Sequence, residues 1–398
     1  MSVFRRGALL LACSAVLALS AFAAEAREPQ PGSPSGNAPR VSAERSGALA
    51  THDGLKLTLT TDTGSVRVFT DGTHEVRYSV RVEAEASATA ATLVKEFSVA
   101  ARSSSLGVSL TGRMPAVQDS KQVWVTYEVH VPQRYNLEIS TRAGDIATQD
   151  IDGTVALLTG GGNIEAGRVG DAGAQQAKGA AGRFIARLNT AGGHIVIGDV
   201  AGGLRATTGG GHITAGNIAG DAVLHSAGGN LQAASVAGSA QLMTGGGNIV
   251  AERAGGGVEA ESAGGRIEFG EAAGAIRVRT GGGGIRIARV TGPTELDSRD
   301  GGVVLAGVAA PLRASATSGG ITAWLSPRFG VTGRTNDASS GVSSGGSTSA
   351  RRLRGAAAES QVRSELTSGE GDIVVYLPRQ ISLTIDALIA HAADGRIT

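Results

Sequence analysis

Three groups of side chains in this 398-residue sequence have the types and spacing that site chemistry needs. His194 and His212 occupy the same place in consecutive repeats, so stacking the repeats would bring their imidazoles about one strand spacing apart, within reach of a shared metal ion. The rest of that column holds Asn163, Asn230, Asn248, Arg266 and Gly284, while His225 lies in another column. No third ligand is evident, so the pair reads as part of a polar ladder at a bend. Glu259, Glu261, Glu295 and Asp297 offer the paired carboxylates that glycoside hydrolysis requires. Each carboxylate pair faces Arg277 and Arg279, however, and Arg313 continues the series. Opposite charges on adjacent strands stabilise by a few tenths of a kcal/mol per pair, roughly, and fix register. The glycine runs form the third group. A phosphate-cradling loop needs Lys and then Ser or Thr after the glycines, and Gly209-Gly210-Gly211-His212-Ile213 has neither. The calcium-binding Gly-Gly-x-Gly-x-Asp pattern fails because its fourth place holds Ile195, Ile213, Ile249 or Ile267.

Sugar-active enzymes also need aromatic rings, and between Ala186 and Ala323 Phe269 is the only one besides histidine. The sequence reading therefore assigns no catalytic, cofactor-binding or metal-binding residue and no cofactor, and expects a protein that is not an enzyme. A polysaccharide-active enzyme is the least favoured alternative.

The elements that carry these side chains repeat. Glycine pairs at 192–193, 210–211, 228–229, 246–247, 264–265 and 282–283 step by 18, and 301–302 and 319–320 follow. A fixed period of this length is the mark of a stacked repeat. In the copy Gly203 to Gly220, Leu204, Ala206 and Thr208 alternate with Arg205 and Thr207, and Ile213 and Ala215 alternate with His212 and Thr214. This period of two predicts two short strands per copy, joined by bends where glycine would supply positive φ angles. Stacking aligns Ile195, Ile213, Leu231, Ile249, Ile267 and Ile285 in one apolar column. A hydroxyl column runs through Thr190, Thr208, Ser226, Thr244, Ser262, Thr280 and Ser298 with the same inward parity, which also argues against an ice-binding face. The predicted fold is all-β: a single-chain β-solenoid, parallel β-helix-like, with 18-residue coils and an N-terminal β-rich capping segment. Alternation of Thr-Gly-Gly-Gly with Ser-Ala-Gly-Gly suggests duplication of a 36-residue unit.

Composition sets the boundaries. Residues 1–23 read as a secretory signal peptide, with Arg5 and Arg6 before an apolar run and Ala21-Phe22-Ala23 as the cleavage site. Cys13, the only cysteine, lies within it, so the mature chain would have no thiol chemistry. Residues 24–54 read as a polar Pro/Gly-rich linker and 55–136 as the N-terminal β-rich cap, with a short helix expected from Ala86 to Phe97. Residues 137–326 read as the solenoid, 327–365 as a flexible Gly/Ser-rich insertion containing Arg351, Arg352 and Arg354, and 366–398 as C-terminal solenoid strands. The formal charge is +1, from 36 basic and 35 acidic residues. That balance points to no nucleic-acid partner and no specific membrane insertion of the mature chain.

Val131-Pro132 followed by Leu137-Glu138-Ile139 is mirrored by Leu377-Pro378 followed by Leu383-Thr384-Ile385. With the Gly-Asp-Ile steps at 144–146 and 371–373 and the Thr/Ser-Gly-Gly-x-Ile coils, these motifs resemble the bacterial "putative adhesin" family of envelope β-solenoid domains, from about Leu55 onward. The resemblance implies an exported protein of the periplasm, outer surface or medium. It also implies an adhesin-like role with a glycan or surface protein as ligand. A periplasmic or envelope scaffold without external ligand is the alternative. The resemblance carries no catalytic residues.

Overall fold

Alternation within each repeat becomes the inside and outside of two facing sheets. The computed structural model describes residues 40–85, 88–114, 123–171, 184–309, 311–326 and 364–379. The signal-peptide reading of 1–23, residues 24–39 of the linker, most of the Gly/Ser-rich segment, and 380–398 lie outside the described residues. In the coil starting at Gly203, Leu204, Ala206, Ile213 and Ile218 are at most 1% exposed, while Arg205, His212 and Thr214 face solvent. Each strand pairs in parallel with its counterpart one coil away, in register: Ile195↔Ile213, Ile213↔Leu231, Leu231↔Ile249, Ile249↔Ile267, Ile267↔Ile285. Among the described residues, repetition of this pairing gives one 15-stranded sheet, here sheet A, and one 14-stranded sheet, sheet B, the two walls of a β-solenoid. A third inward column closes the return bend through Ile218, Val236, Ala254, Ala272, Val290 and Val308, all buried.

The glycine pairs work differently from the expectation. Among the described residues, positive φ occurs at Gly54, Gly64, Gly107, Gly144 and Gly170, and none of these is in the repeated pairs. From 192–193 to 282–283 the second glycine of the pair is needed for close approach, and in 301–302 and 319–320 the first is. A Cβ on Gly211, Gly229 or Gly247 would lie 2.0, 2.0 or 2.1 Å from the carbonyl oxygen of the matching glycine one coil earlier. The first glycines, Gly210, Gly228 and Gly246, would meet nothing within 4 Å. One residue upstream, the alternation noticed in the sequence has a steric counterpart. Cβ atoms on Gly209, Gly245 and Gly281 would lie 2.0, 2.0 and 2.2 Å from the carbonyl oxygens of Ala191, Ala227 and Ala263. Glycine therefore occupies this corner in every second coil from Gly160 to Gly281, with a side chain in the coils between, and the alternation breaks where Arg299 and Thr317 follow one another.

At the N-terminal end, the chain order departs from the stacking order. The strands there are β1 (Arg40–Ala50), β2 (Lys56–Thr61), β3 (Ser65–Asp71) and β4 (Glu75–Glu85). The helix α1 (Ala88–Glu96) follows, then β5 (Ser98–Ser104), β6 (Gly107–Arg113), β7 (Val123–Pro132), β8 (Asn136–Thr141) and β9 (Ile146–Thr148). Sheet A begins β1-β4-β7-β3-β9 and sheet B begins β5-β6-β2-β8. The coil formed by β2 and β3 thus comes first in sequence but lies between β6–β7 and β8–β9. Antiparallel β1–β4 and β5–β6 pairings finish this end, with α1 against β1 and β4. The helix expected from Ala86 to Phe97 is present over Ala88–Glu96, with residues 86–87 outside the described residues.

Two domain readings need correction. Residues 40–50, taken as linker, form an edge strand whose more buried side carries Val41, Ala43, Arg45, Gly47 and Leu49, a pattern too small and mixed to announce a strand. The boundary at 136–137 separates nothing, because β2 and β3 already stack on β8 and β9 as a solenoid coil. The cap core is made of large side chains. Phe97 packs edge-on to Tyr127, whose hydroxyl shares a 2.6 Å hydrogen bond with the Thr61 hydroxyl. Tyr135, fully buried in the crossover from β7 to β8, does the same with Thr51 at 2.6 Å.

Candidate functional site

Stacking in register turns single residues into columns, and the columns are where chemistry would have to be found. The hydroxyl column points inward, as its parity required, but its members do not bond to one another. Thr208 donates to the Gly193 carbonyl at 2.8 Å, Ser226 to Gly211 at 2.8 Å, Thr244 to Gly229 at 2.7 Å and Ser262 to Gly247 at 2.9 Å. The same oxygens accept the N–H of the glycine three residues on, at 3.1, 2.8, 3.2 and 2.8 Å. Each hydroxyl thereby satisfies a buried backbone donor and a buried acceptor at the bend, which would otherwise cost about 1–3 kcal/mol apiece. This column is structural.

His194 and His212 do stack, with ring centroids 5.0 Å apart and planes 13° from parallel. Their Nδ1 atoms are occupied. His212 N–H donates to His194 Nδ1 at 2.9 Å, and Asn230 N–H donates to His212 Nδ1 at 2.9 Å. The arrangement extends both ways: Asn163 N–H to Asp145 Oδ1 at 2.7 Å, His194 N–H to Asn163 Oδ1 at 2.8 Å, Asn248 N–H to Asn230 Oδ1 at 2.8 Å, and Arg266 N–H to Asn248 Oδ1 at 2.8 Å. Aspartate, asparagine and histidine all present an acceptor at the same height, which explains why the column tolerates all three. Among the described residues, no group of three or more His, Cys, Asp or Glu side chains comes together to hold a metal.

The carboxylates on sheet B fall in the expected register. Glu259 aligns with Arg277, Arg277 with Glu295, Glu295 with Arg313 and Arg313 with Glu365, while Glu261, Arg279 and Asp297 form the neighbouring row. Arg277 donates through Nε and Nη2 to one Glu295 oxygen at 3.1 and 2.9 Å. Sheet A carries a second ladder that sequence reading missed: Arg289 Nη1 lies 2.8 Å from Glu271, and Glu268 sits between Arg266 at 3.3 Å and Arg286 at 4.0 Å. Its signal was present in the same 18-residue spacing. These side chains are about half exposed or more in most pairs, so each contact is worth about 0–1 kcal/mol and serves register more than stability. Their alternation also denies the sheet a free pair of acids facing each other.

Two surface features remain as candidate contact sites. A shallow groove of about 800 Å³ runs across several coils of sheet B, with Asp221, Gln241, Glu259, Arg277, Glu295 and Arg313 along it. On sheet A, Trp324 and Tyr376 stand in register on adjacent coils, rings 4.7 Å apart and 3° from parallel. They are 37% and 49% exposed. Tyr376 directly precedes the Leu377-Pro378 motif, and Trp324 lies one residue beyond the ring-poor stretch that ends at Ala323. No helix among the described residues is long and apolar enough to cross a membrane.

No family model and no curated protein sequence matches the chain. Among solved structures, it is similar to a protein of Parabacteroides distasonis named a "putative adhesin", at 7% identity and a TM-score of 0.22 over 84% of this chain and 97% of that one. A "putative adhesin" of Bacteroides fragilis gives 10% identity and a TM-score of 0.21 over 84% and 97%. A "putative cell adhesion protein" of Clostridium sporogenes gives 9% and 0.20 over 62% and 99%.

Proposed function

We propose that this protein is an exported, adhesin-like β-solenoid that binds a surface ligand, a glycan or a surface protein, through its long outer faces and catalyses no reaction. The observation behind this reading is the organisation of the outward side chains. They are arrayed at the coil spacing of about 4.8 Å along the stack, as contact surfaces are in solenoids generally. Among the described residues they do not converge on a pocket with an acid, a base and an oriented nucleophile, as a reaction would need. The groove on sheet B and the Trp324–Tyr376 pair are the two places where a ligand would find depth or aromatic surface.

The test is a binding screen of the mature chain against glycans, matrix proteins and whole cells at fixed salt, with folding checked by circular dichroism. Saturable binding to one class supports the adhesin reading. No binding by a folded protein, with the chain shielded from added protease in intact cells, supports an envelope scaffold instead.

A further inference from the structure

The two ends of the solenoid differ in ways that give the stack a direction. Between Leu57 and Ile164 the buried apolar side chains include a single alanine, Ala84, and three aromatic residues, Phe97, Tyr127 and Tyr135. From Ala186 to Ala272 the buried columns are thinned by Ala186, Ala206, Ala215, Ala222, Ala233 and Ala240 and by further alanines, with Phe269 as the one buried aromatic ring among the described residues there, whereas from Ile276 to Leu312 the buried apolar side chains are again Ile, Val and Leu. Each buried methylene contributes about 0.8 kcal/mol, so the early part of the molecule is held far more strongly than a typical later coil.

Topology adds to this asymmetry. The β2–β3 coil is gripped on one side by β6–β7, themselves locked by the antiparallel strands β4 and β5. Its other side is the edge on which β8 and β9 are laid. The polar ladders then work coil upon coil. Acceptors on one coil, such as Asn163, His194 and Asn230, receive backbone N–H groups of the next. The hydroxyls of each new coil, such as Thr208 and Ser226, donate to carbonyls of the coil before it.

We infer that the solenoid assembles in one direction. Residues 40–132 form the nucleus, the β2–β3 edge templates the first added coil, and each later coil is ordered by the one preceding it. Repeat stacks in general can nucleate anywhere and propagate. Here the coils from Ala186 to Ala272 are too thin to start independently, and the larger side chains from Ile276 to Leu312 have no antiparallel closure beside them among the described residues such as β1–β4 and β5–β6 supply at the other end. The stack accordingly opens from its C-terminal end.

Hydrogen exchange of the full mature chain, read by mass spectrometry under native conditions, tests this directly. Protection should be greatest in β2, β3 and β7, lower in every strand after Ala186, and lowest at the C-terminal strands Leu312–Ala316 and Ile321–Leu325. A flat or reversed gradient would overturn the inference. A lesion in the middle of the stack sharpens the test. Gly211→Val places a side chain against the Gly193 carbonyl. Exchange should rise at least tenfold in the coils after it, with the N-terminal strands unchanged. If Gly211→Val fails to fold at all, Gly301→Val, whose side chain would meet the Gly283 backbone, becomes decisive. It should leave every coil before Ser298 protected. Loss of protection in β2 and β3 in that variant sinks the idea.

Discussion

The backbone N–H of His212 donates to Nδ1 of His194, 2.9 Å away, and the two rings lie face to face at 5.0 Å. This contact makes the pair a segment of a backbone-binding ladder rather than two metal ligands in waiting. Replacing both residues by asparagine should keep the ladder and leave stability within about 0.5 kcal/mol. His212→Ala should cost about 1 kcal/mol, by leaving the Asn230 N–H without its side-chain acceptor. Thermal denaturation with and without added zinc checks both points. A zinc-dependent rise in melting temperature that disappears in the asparagine variant would restore the metal reading.

The charge ladder predicts a response to sign. Arg277→Glu together with Arg279→Glu would set acids against acids across three consecutive strands of sheet B. The double variant should lose about 1 kcal/mol at low ionic strength, and most of that loss should vanish in high salt, because the groups are exposed and screened. Denaturant titrations at two salt concentrations measure it. A loss that is independent of salt would mean that packing by the arginine stems, rather than charge, holds this face.

Neighbouring glycines should behave in opposite ways. Gly228→Ala meets open space, whereas Gly229→Ala drives a methyl group to within 2.0 Å of the Gly211 carbonyl oxygen. The first should change stability by no more than about 0.5 kcal/mol. The second should destabilise by about 2 kcal/mol or more, since two coils must separate locally to admit it. Equal effects in equilibrium unfolding would refute the close-approach account of the repeat.

The cap should be the alkaline weak point. Burial pushes the Tyr127 phenol up to about 12, against about 10 for an exposed tyrosine. Burial raises Tyr135 as well. A group whose folded value is raised contributes stability that is complete below its unfolded value and is lost as pH climbs through the folded one. Stability should therefore hold up to about pH 10 and fall between about 10 and 12. Tyr127→Phe should be less stable near neutrality by about 1 kcal/mol, through loss of the Thr61 bond, yet should fall less steeply across that alkaline window. Unfolding monitored from pH 7 to 12 separates these effects.

The solenoid was legible in the chain because two periods coincide there. The step of two marks the inward faces and the step of 18 aligns them, so the column from Ile195 to Ile285 and the hydroxyls from Thr190 to Ser298 could be placed before any coordinates. What the hydroxyls bond to was not legible. Their acceptors are backbone carbonyls of the preceding coil, and backbone groups leave no mark in a sequence. The strand Arg40–Ala50 was hidden for a related reason: its partner, β4, holds it by main-chain pairing while its own side chains are small or charged. The order of β6–β7 outside β2–β3 is a matter of topology between segments that look alike in pattern. At the surface, Trp324 and Tyr376 are far apart in number and meet only because Ile321–Leu325 pairs with Ile373–Tyr376 across the intervening chain.

The corner at which glycine alternates with a larger residue sets a grain on how such a molecule can change length. Cutting out residues 209–226 would bring Ala227 directly over Ala191, at a corner where a Cβ on Gly209 comes within 2.0 Å of the Ala191 carbonyl oxygen. Cutting out 209–244 instead brings Gly245 over Ala191 and restores the original neighbour relation. Within the alternating coils from Gly160 to Gly281, viable lengths of this tower should therefore differ by pairs of storeys, with single-storey variants there rare among any that arise by unequal recombination.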